Sequence, residues 1–173
     1  MGLHNFGMEG PGMHRRRLFS LSLGAAALGT LPRSALALSA EPERAEITVY
    51  RSPTCGCCIA WAEHLQRAGF GVEVIDVNQN QLYALKARLG LTVELASCHT
   101  AILGDYFIEG HVPAGDIARL LEERPAAAGL TVPGMPIGSP GMEMGDEKEA
   151  FDTLLVLENG STEIFEHHPG TEA

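Results

Sequence analysis

Apolar and polar residues follow one another along the chain in short blocks that predict alternating strands and helices. Residues 47–50 form a β-branched and aromatic run that is typical of a strand. Over residues 57–68 apolar side chains recur at helical spacing without an internal Gly or Pro, and Gly69 ends the pattern. Residues 71–77 alternate as a second strand, and residues 81–89 predict a second helix. The pattern therefore begins as strand, helix, strand, helix.

A hairpin and a third helix complete the pattern. Residues 100–103 and 106–109 form two short strands around a Gly-Asp turn, and Pro113 lies in the first turn of a helix over residues 114–123. The resulting order βαβαββα is that of the thioredoxin-like α/β fold. Right-handed strand-helix-strand crossovers imply that the first two strands pair in parallel. We expect a thioredoxin-like domain over residues 41–124.

The composition changes after this helix. Residues 125–150 contain four prolines, several glycines and three methionines, which predicts a long Met-rich loop rather than regular structure. Residues 152–157 and 162–166 then form a second hairpin around an Asn-Gly turn. We expect residues 125–173 to extend the same domain as a loop followed by an extra β-hairpin, which either joins the sheet or packs beside it.

The amino terminus has the features of an export signal. Three arginines at residues 15–17 precede an apolar run over residues 18–31 and a small-residue stretch over residues 35–40. Residues 16–19 also resemble a twin-arginine signal. The apolar run is too short and too interrupted for a stable membrane span. We expect residues 1–40 to be a cleaved signal peptide and the mature protein to be periplasmic, without a membrane span.

The charge of the chain narrows the range of partners. Its 173 residues are 45% hydrophobic, which fits one globular domain, and carry a formal net charge of −10. Beyond residue 40 there are 8 basic and 21 acidic residues, or −13. This charge repels phosphate backbones and anionic lipid, so nucleic-acid and membrane-surface binding are disfavoured and small cations are favoured.

Three of the four cysteines form a C-x-C-C cluster at Cys55, Cys57 and Cys58. A disulfide within this cluster closes a loop of at most four residues, where the stabilisation by loop closure is smallest. In the first turn of a helix, free amide groups and the helix dipole favour thiolates, which attack disulfides and bind metals. Cys55 and Cys58 have the spacing of a redox-active pair, so a thiol-disulfide oxidoreductase is one candidate function. Cys57 has no role in that scheme.

The fourth cysteine favours a metal site. Cys98 precedes the predicted strand at residues 100–103, in a loop that faces the start of the first helix in a thioredoxin-like fold. Four converging thiolates can bind zinc, an iron-sulfur cluster or Cu(I). Structural zinc usually takes two separated cysteine pairs, whereas vicinal cysteines in a three-plus-one pattern suit bridging thiolates, which Cu(I) accepts.

Further soft or borderline ligands lie elsewhere in the chain. His99 adjoins Cys98, and His111 precedes the third helix, so either imidazole can bind a metal or carry a proton. Met135, Met142 and Met144 lie in the predicted Met-rich loop, and thioether sulfur is a ligand for Cu(I). These five residues are candidate secondary sites for metal binding or proton transfer.

The segments VYRSPTCGCCIAWAEHLQRAGF, LASCHTAILGDYFIEGHVPAGDI and GLTVPGMPIGSPGME resemble the CopG-type copper-resistance proteins over residues 46–167. The resemblance implies a periplasmic protein that holds a cysteine-bridged cluster of several copper ions. The matching ligand positions are Cys55, Cys57, Cys58 and Cys98. It also implies a role among copper-export functions, with a copper-efflux component as partner, and a change in the oxidation state of copper, which would make the protein a copper oxidoreductase.

One departure from ordinary thioredoxins bears on the alternative function. Those proteins have a cis-proline before the third strand, whereas the sequence SCHTA occupies that position here. This difference counts against disulfide-exchange catalysis by Cys55 and Cys58, which remains the alternative.

Overall fold

One seven-stranded mixed sheet and three helices make up the part of the chain that the computed structural model describes, residues 44–171. This arrangement confirms the predicted α/β class. The predicted signal peptide, residues 1–40, lies outside the described residues. Within residues 44–171, none of the helices has the length and apolar character that a membrane crossing requires.

The first four elements follow the predicted order. They are β1 (Glu46–Arg51), α1 (Gly56–Arg67), β2 (Gly71–Asp76) and α2 (Gln79–Arg88). β1 and β2 pair in parallel, as predicted from the crossover. The side chain of Asn78 accepts a hydrogen bond of 3.0 Å from the Gln81 amide, and the Gln81 side chain accepts one from the Asn78 amide. This capping box fixes the start of α2.

The middle of the chain forms the predicted hairpin. β3 (His99–Leu103) pairs antiparallel with both β1 and β4 (Tyr106–Glu109), and α3 (Ala114–Glu123) follows. Pro113 lies at the N-cap of α3, one residue before the position predicted for it. A short 3-10 turn, Val93–Leu95, precedes β3. The sequence pattern misses this turn because three residues are too few to show a period.

The C-terminal region contains a strand within the residues for which the sequence predicts a loop. β5 (Gly129–Thr131) pairs in parallel with β4 and antiparallel with β6 (Phe151–Val156), and β7 (Thr162–His168) forms the edge. The prediction of an unbroken loop over residues 125–150 is therefore wrong at β5. The three residues of β5 are too few to show an alternation of apolar and polar side chains. Pairing with a strand on each side stabilises them. The second hairpin consequently extends the sheet, whose order is β2-β1-β3-β4-β5-β6-β7.

The main core lies between the sheet and helices α1 and α3. Its fully buried side chains come from both layers: Ile47, Val49, Trp61, Leu65, Ala101, Ile108, Val112, Ile117, Leu120, Leu130 and Val132. Each large aliphatic side chain buried in this way contributes about 1.5–3 kcal/mol. The Trp61 indole donates a hydrogen bond of 2.8 Å to the Val112 carbonyl, which ties α1 to the segment before α3. This bond fixes α1 beside the segment that leads into α3.

Candidate metal centre

The C-x-C-C cluster lies where β1 passes into α1. Cys55 occupies the N-cap position, and Cys57 and Cys58 lie in the first turn of the helix. The Arg51 guanidinium donates hydrogen bonds to the carbonyls of Ser52 (3.1 Å) and Cys55 (3.0 Å) and pairs with Asp76 at 2.9 Å. Arg51 is buried. The sequence pattern alone does not predict a role for Arg51, although an arginine at the end of a strand next to a cysteine cluster is a visible signal.

The structure brings all four cysteine sulfurs together. Cys57 Sγ lies 3.5 Å from Cys55 Sγ and 3.8 Å from Cys98 Sγ, and Cys58 Sγ lies 3.5 Å from Cys98 Sγ. All four sulfurs lie within 4.8 Å of one another. Cys55 and Cys58 form a disulfide, whereas Cys57 and Cys98 carry free thiols. The predicted approach of Cys98 to the other three is thus the arrangement found.

These separations suit sulfurs that share a metal ion. Metal–thiolate bonds of about 2.3 Å at a tetrahedral angle place two sulfurs about 3.8 Å apart. The observed sulfur–sulfur separations between Cys98 and its two neighbours, 3.5 and 3.8 Å, are close to that value. Because thiolate is the metal-binding form, Cys55 and Cys58 can act as ligands only after their disulfide is reduced. The donor set therefore fits a soft metal in the reduced protein.

His111 presents a lone pair to the cluster. Its Nε2 lies 3.2 Å from Cys98 Sγ, and its Nδ1 lies 2.7 Å from the Pro140 carbonyl oxygen. A carbonyl only accepts, so Nδ1 carries the proton and Nε2 is unprotonated. Metal-binding histidines commonly have this outer hydrogen bond to a carbonyl, which orients the ring. Burial lowers the pKa of His111 and keeps the ring neutral.

His99 lies on the inner side of Cys98. Its Nδ1 is 3.3 Å from Cys98 Sγ, and its ring centroid is 4.4 Å from that of Trp61 and 5.1 Å from that of His111. His99 is completely buried, and its Nε2 has no hydrogen-bond partner among residues 44–171. Burial, with a smaller effect of His111, lowers the pKa of His99 well below the usual value. Cys98, His99 and His111 therefore form a second group with metal-ligand spacing, which shares Cys98 with the sulfur cluster.

The Cys98 thiol is held in its protonated form when metal is absent. Burial, together with neighbouring Cys57, raises the pKa of Cys98 to about 12. A metal that binds Cys98 must therefore displace a proton, so metal binding at this sulfur releases a proton.

A buried ion pair fixes the position of the segment that carries Cys98. The Glu109 carboxylate accepts hydrogen bonds of 2.6 Å from the Ser97 amide and from the Thr100 hydroxyl, on either side of Cys98 and His99. Lys86 of α2 pairs with the same carboxylate and donates to the Thr100 hydroxyl at 2.9 Å. Burial raises the pKa of Glu109, and the charge of Lys86 opposes this rise. The sequence pattern does not predict this pair.

The Met-rich loop reaches the cluster through Gly141. A Cβ on this glycine would come within 2.7 Å of the Trp61 amide nitrogen and 2.8 Å of the Cys57 carbonyl oxygen, so the loop lies directly against the first turn of α1. Met142 follows Gly141 and is half-buried. Met135 and Met144 are 51% and 67% exposed. Of the three methionines, Met142 is therefore the nearest in sequence to the contact between Gly141 and α1.

His64 has a structural contact away from the sulfurs. Its Nε2 accepts a hydrogen bond of 3.2 Å from the Ala114 amide in the first turn of α3. Since α3 has no side-chain cap of its own, this bond from α1 satisfies one of its free amides. Burial lowers the pKa of His64.

Comparisons with known proteins agree on one family. A family model described as "protein of unknown function, DUF411" matches residues 95–142. Two solved structures, both named copper resistance protein CopG and distinguished as Form 2 and Form 1, are 42% identical to this chain with a TM-score of 0.69. The matches cover 73% and 74% of this chain and 100% of each of those chains. No curated protein matches the chain.

Proposed function

The chain belongs to the CopG family of copper resistance proteins, and on this premise we propose that it is a periplasmic protein that binds Cu(I). The proposed ligands are the thiolates of Cys55, Cys57, Cys58 and Cys98. Their sulfurs, which come from two distant segments and lie within 4.8 Å of one another, are the observation that carries this proposal.

The ligand chemistry favours copper over zinc. Four adjacent sulfurs from a three-plus-one pattern suit bridging thiolates, and Cu(I) prefers soft sulfur ligands. His111 can add its Nε2 to the Cys98 side of the site, because that atom is unprotonated and 3.2 Å from Cys98 Sγ. His99, Met135, Met142 and Met144 remain proposed secondary ligands. A cluster of several copper ions is the form that we propose.

The biological role follows from the same premise. We assign the protein a role in copper resistance, in which it changes the oxidation state of copper or transfers copper to an efflux component. The proposed export requires residues 1–40 to act as a signal peptide. The strand order β2-β1-β3-β4, with a parallel first pair, supports a thioredoxin-like domain as the scaffold.

Copper titration of the reduced protein tests this function. Cu(I) is added anaerobically to protein without the disulfide, and bound copper is measured against a competing Cu(I) chelator. We expect tight binding that weakens, with fewer coppers per chain, in Cys98→Ser. Val93→Ser is the control, because Val93 is 88% exposed and precedes the Cys98 loop. Unchanged stoichiometry and affinity in Cys98→Ser would show that the four sulfurs do not act together.

A second candidate function is thiol-disulfide exchange, which the Cys55–Cys58 disulfide supports. This function requires metal-free protein to reduce a disulfide substrate and requires Cys55→Ser to abolish that activity. Tight copper retention without turnover of a disulfide substrate would exclude it.

A further inference from the structure

We propose that Cys55 and Cys58 supply the electrons by which this protein reduces Cu(II) to Cu(I). This inference rests on the proposed copper function and identifies its electron source. The two thiols lose two protons to solvent and two electrons, and a sulfur–sulfur bond forms between them. Two Cu(II) ions each accept one electron and become two Cu(I) ions. The oxidant is thus Cu(II) itself, and each disulfide accounts for two coppers.

The pairing of the cysteines supports this assignment. Of the four clustered cysteines, Cys55 and Cys58 are the two that join, with Cα atoms 5.5 Å apart, in the usual range for a disulfide. Cys57 and Cys98 remain free thiols in the same structure. The cluster therefore divides into a pair that can store two electrons and a pair that stays available to bind metal.

The remaining ligands place copper beside the oxidisable pair. Cys57 Sγ is 3.5 Å from Cys55 Sγ, and Cys98 Sγ is 3.5 Å from Cys58 Sγ. Copper bound by Cys57 or Cys98 is consequently a direct neighbour of a sulfur that gives up an electron. Cys58 is completely buried, so an acceptor in contact with its sulfur must be small. A copper ion meets this condition, whereas a protein disulfide does not.

Disulfide formation also changes how copper is held. In the reduced protein four thiolates are available, but in the disulfide form the available ligands are Cys57, Cys98 and the Nε2 lone pair of His111. Fewer thiolates hold Cu(I) less tightly. Reduction of Cu(II) therefore lowers the number of thiolates that hold Cu(I). This loss favours transfer of the Cu(I) product to another copper-binding molecule.

An anaerobic single-turnover experiment tests the proposal on the full mature protein. Fully reduced protein receives two equivalents of a Cu(II) salt, and the Cu(II) signal is followed by electron paramagnetic resonance. Cu(I) is then removed with a chelator that reports its amount, free thiols are alkylated, and the disulfide is located by peptide mass spectrometry. We expect loss of the Cu(II) signal, two Cu(I) per chain, and one disulfide between Cys55 and Cys58.

Two results in the wild-type protein would overturn the proposal. One is a persistent Cu(II) signal; the other is a disulfide that includes Cys57 or Cys98. The double variant Cys55→Ser/Cys58→Ser should lose Cu(II) reduction, whereas Val93→Ser, a control at a side chain that is 88% exposed, should still form the disulfide between Cys55 and Cys58. Reduction at the wild-type yield by the double variant would also contradict the assignment.

A parallel titration with Cu(I) separates this proposal from the proposed function. If reduced protein binds Cu(I) through the four cysteines but leaves Cu(II) unreduced, the electron-source proposal fails and the copper-binding function stands. If reduced protein binds no Cu(I), the copper-binding function itself fails. Oxidised glutathione in place of Cu(II) should form the disulfide more slowly than Cu(II) does, and a faster reaction would favour disulfide exchange instead.

Discussion

The buried pair of Lys86 and Glu109 offers the sharpest test of how the protein holds Cys98 in place. Glu109 is completely buried, and Lys86 is 5% exposed. Glu109→Gln keeps an oxygen that can accept the hydrogen bond from the Ser97 amide, but it leaves the Lys86 ammonium buried without a counter-charge. Removing one partner of a buried ion pair costs about 3–5 kcal/mol. We expect a loss of stability near the lower limit, because the Gln oxygen still accepts hydrogen bonds.

Urea unfolding measures this loss. With the disulfide reduced and metal absent, a loss of about 3 kcal/mol shifts the midpoint by about 1–3 M urea, since the denaturant slope of a small domain is about 1–3 kcal/mol/M. The double variant Lys86→Met/Glu109→Gln removes the unpaired charge and should restore most of the stability. Alkylation of Cys98 should become faster in Glu109→Gln, because the ion pair no longer fixes the segment that carries Cys98.

The matched control is Glu63→Gln in the exposed pair that Glu63 forms with Arg67 at 3.8 Å, where the two side chains are 60% and 68% exposed. Exposed pairs contribute about 0–1 kcal/mol, so this variant should unfold close to the wild type. A Glu109→Gln protein as stable as Glu63→Gln would contradict a stabilising role of the buried pair. A double variant no more stable than Glu109→Gln would contradict the cost of the unpaired Lys86 charge.

Two further predictions concern the loop contact at Gly141 and the helix contact at His64. Gly141→Ala should displace the loop from α1 and speed Cu(I) release to a chelator, because its Cβ would lie 2.8 Å from the Cys57 carbonyl oxygen. Gly145→Ala shares the positive φ, but its Cβ would meet no described atom within 4 Å, so it should lose only about 1–2 kcal/mol and retain copper normally. The lowered pKa of His64 keeps it neutral in the folded state, whereas the unfolded chain takes up a proton below about pH 6.5. The stability of the wild type relative to His64→Gln should therefore decrease as pH falls below that value in urea titrations, and equal pH profiles would contradict the lowering of the His64 pKa by burial.

Local patterns in the sequence were sufficient to predict most of the fold. The run of apolar positions after Cys55 has helical spacing and a glycine stop, so α1 was predicted to within one residue at each end. The strands β3 and β4 were visible because a Gly-Asp turn separates two short apolar runs. By contrast, β5 is stabilised by its neighbours on both sides, and its three residues show no pattern of their own. Pairing across the sheet is a property that short windows of sequence do not contain.

Some features of the candidate site could likewise be predicted from the sequence, and others could not. The meeting of Cys98 with the C-x-C-C cluster could be predicted, because the order of the elements brings the start of β3 opposite the start of α1. The Lys86–Glu109 pair could not, since a lysine in a weakly amphipathic helix has the same pattern as an exposed residue. The tautomer of His111 was also inaccessible, because it depends on the Pro140 carbonyl 29 residues away.

X-ray absorption at the copper edge tests the central claim most directly. The sample is reduced protein loaded anaerobically with Cu(I), compared with Cys98→Ser prepared in the same way. We predict a Cu(I) edge, a first shell dominated by sulfur and a short copper–copper distance, with the last feature weakened or lost in the variant. A first shell of nitrogen and oxygen, or identical spectra for the two proteins, would contradict copper binding by the four cysteines.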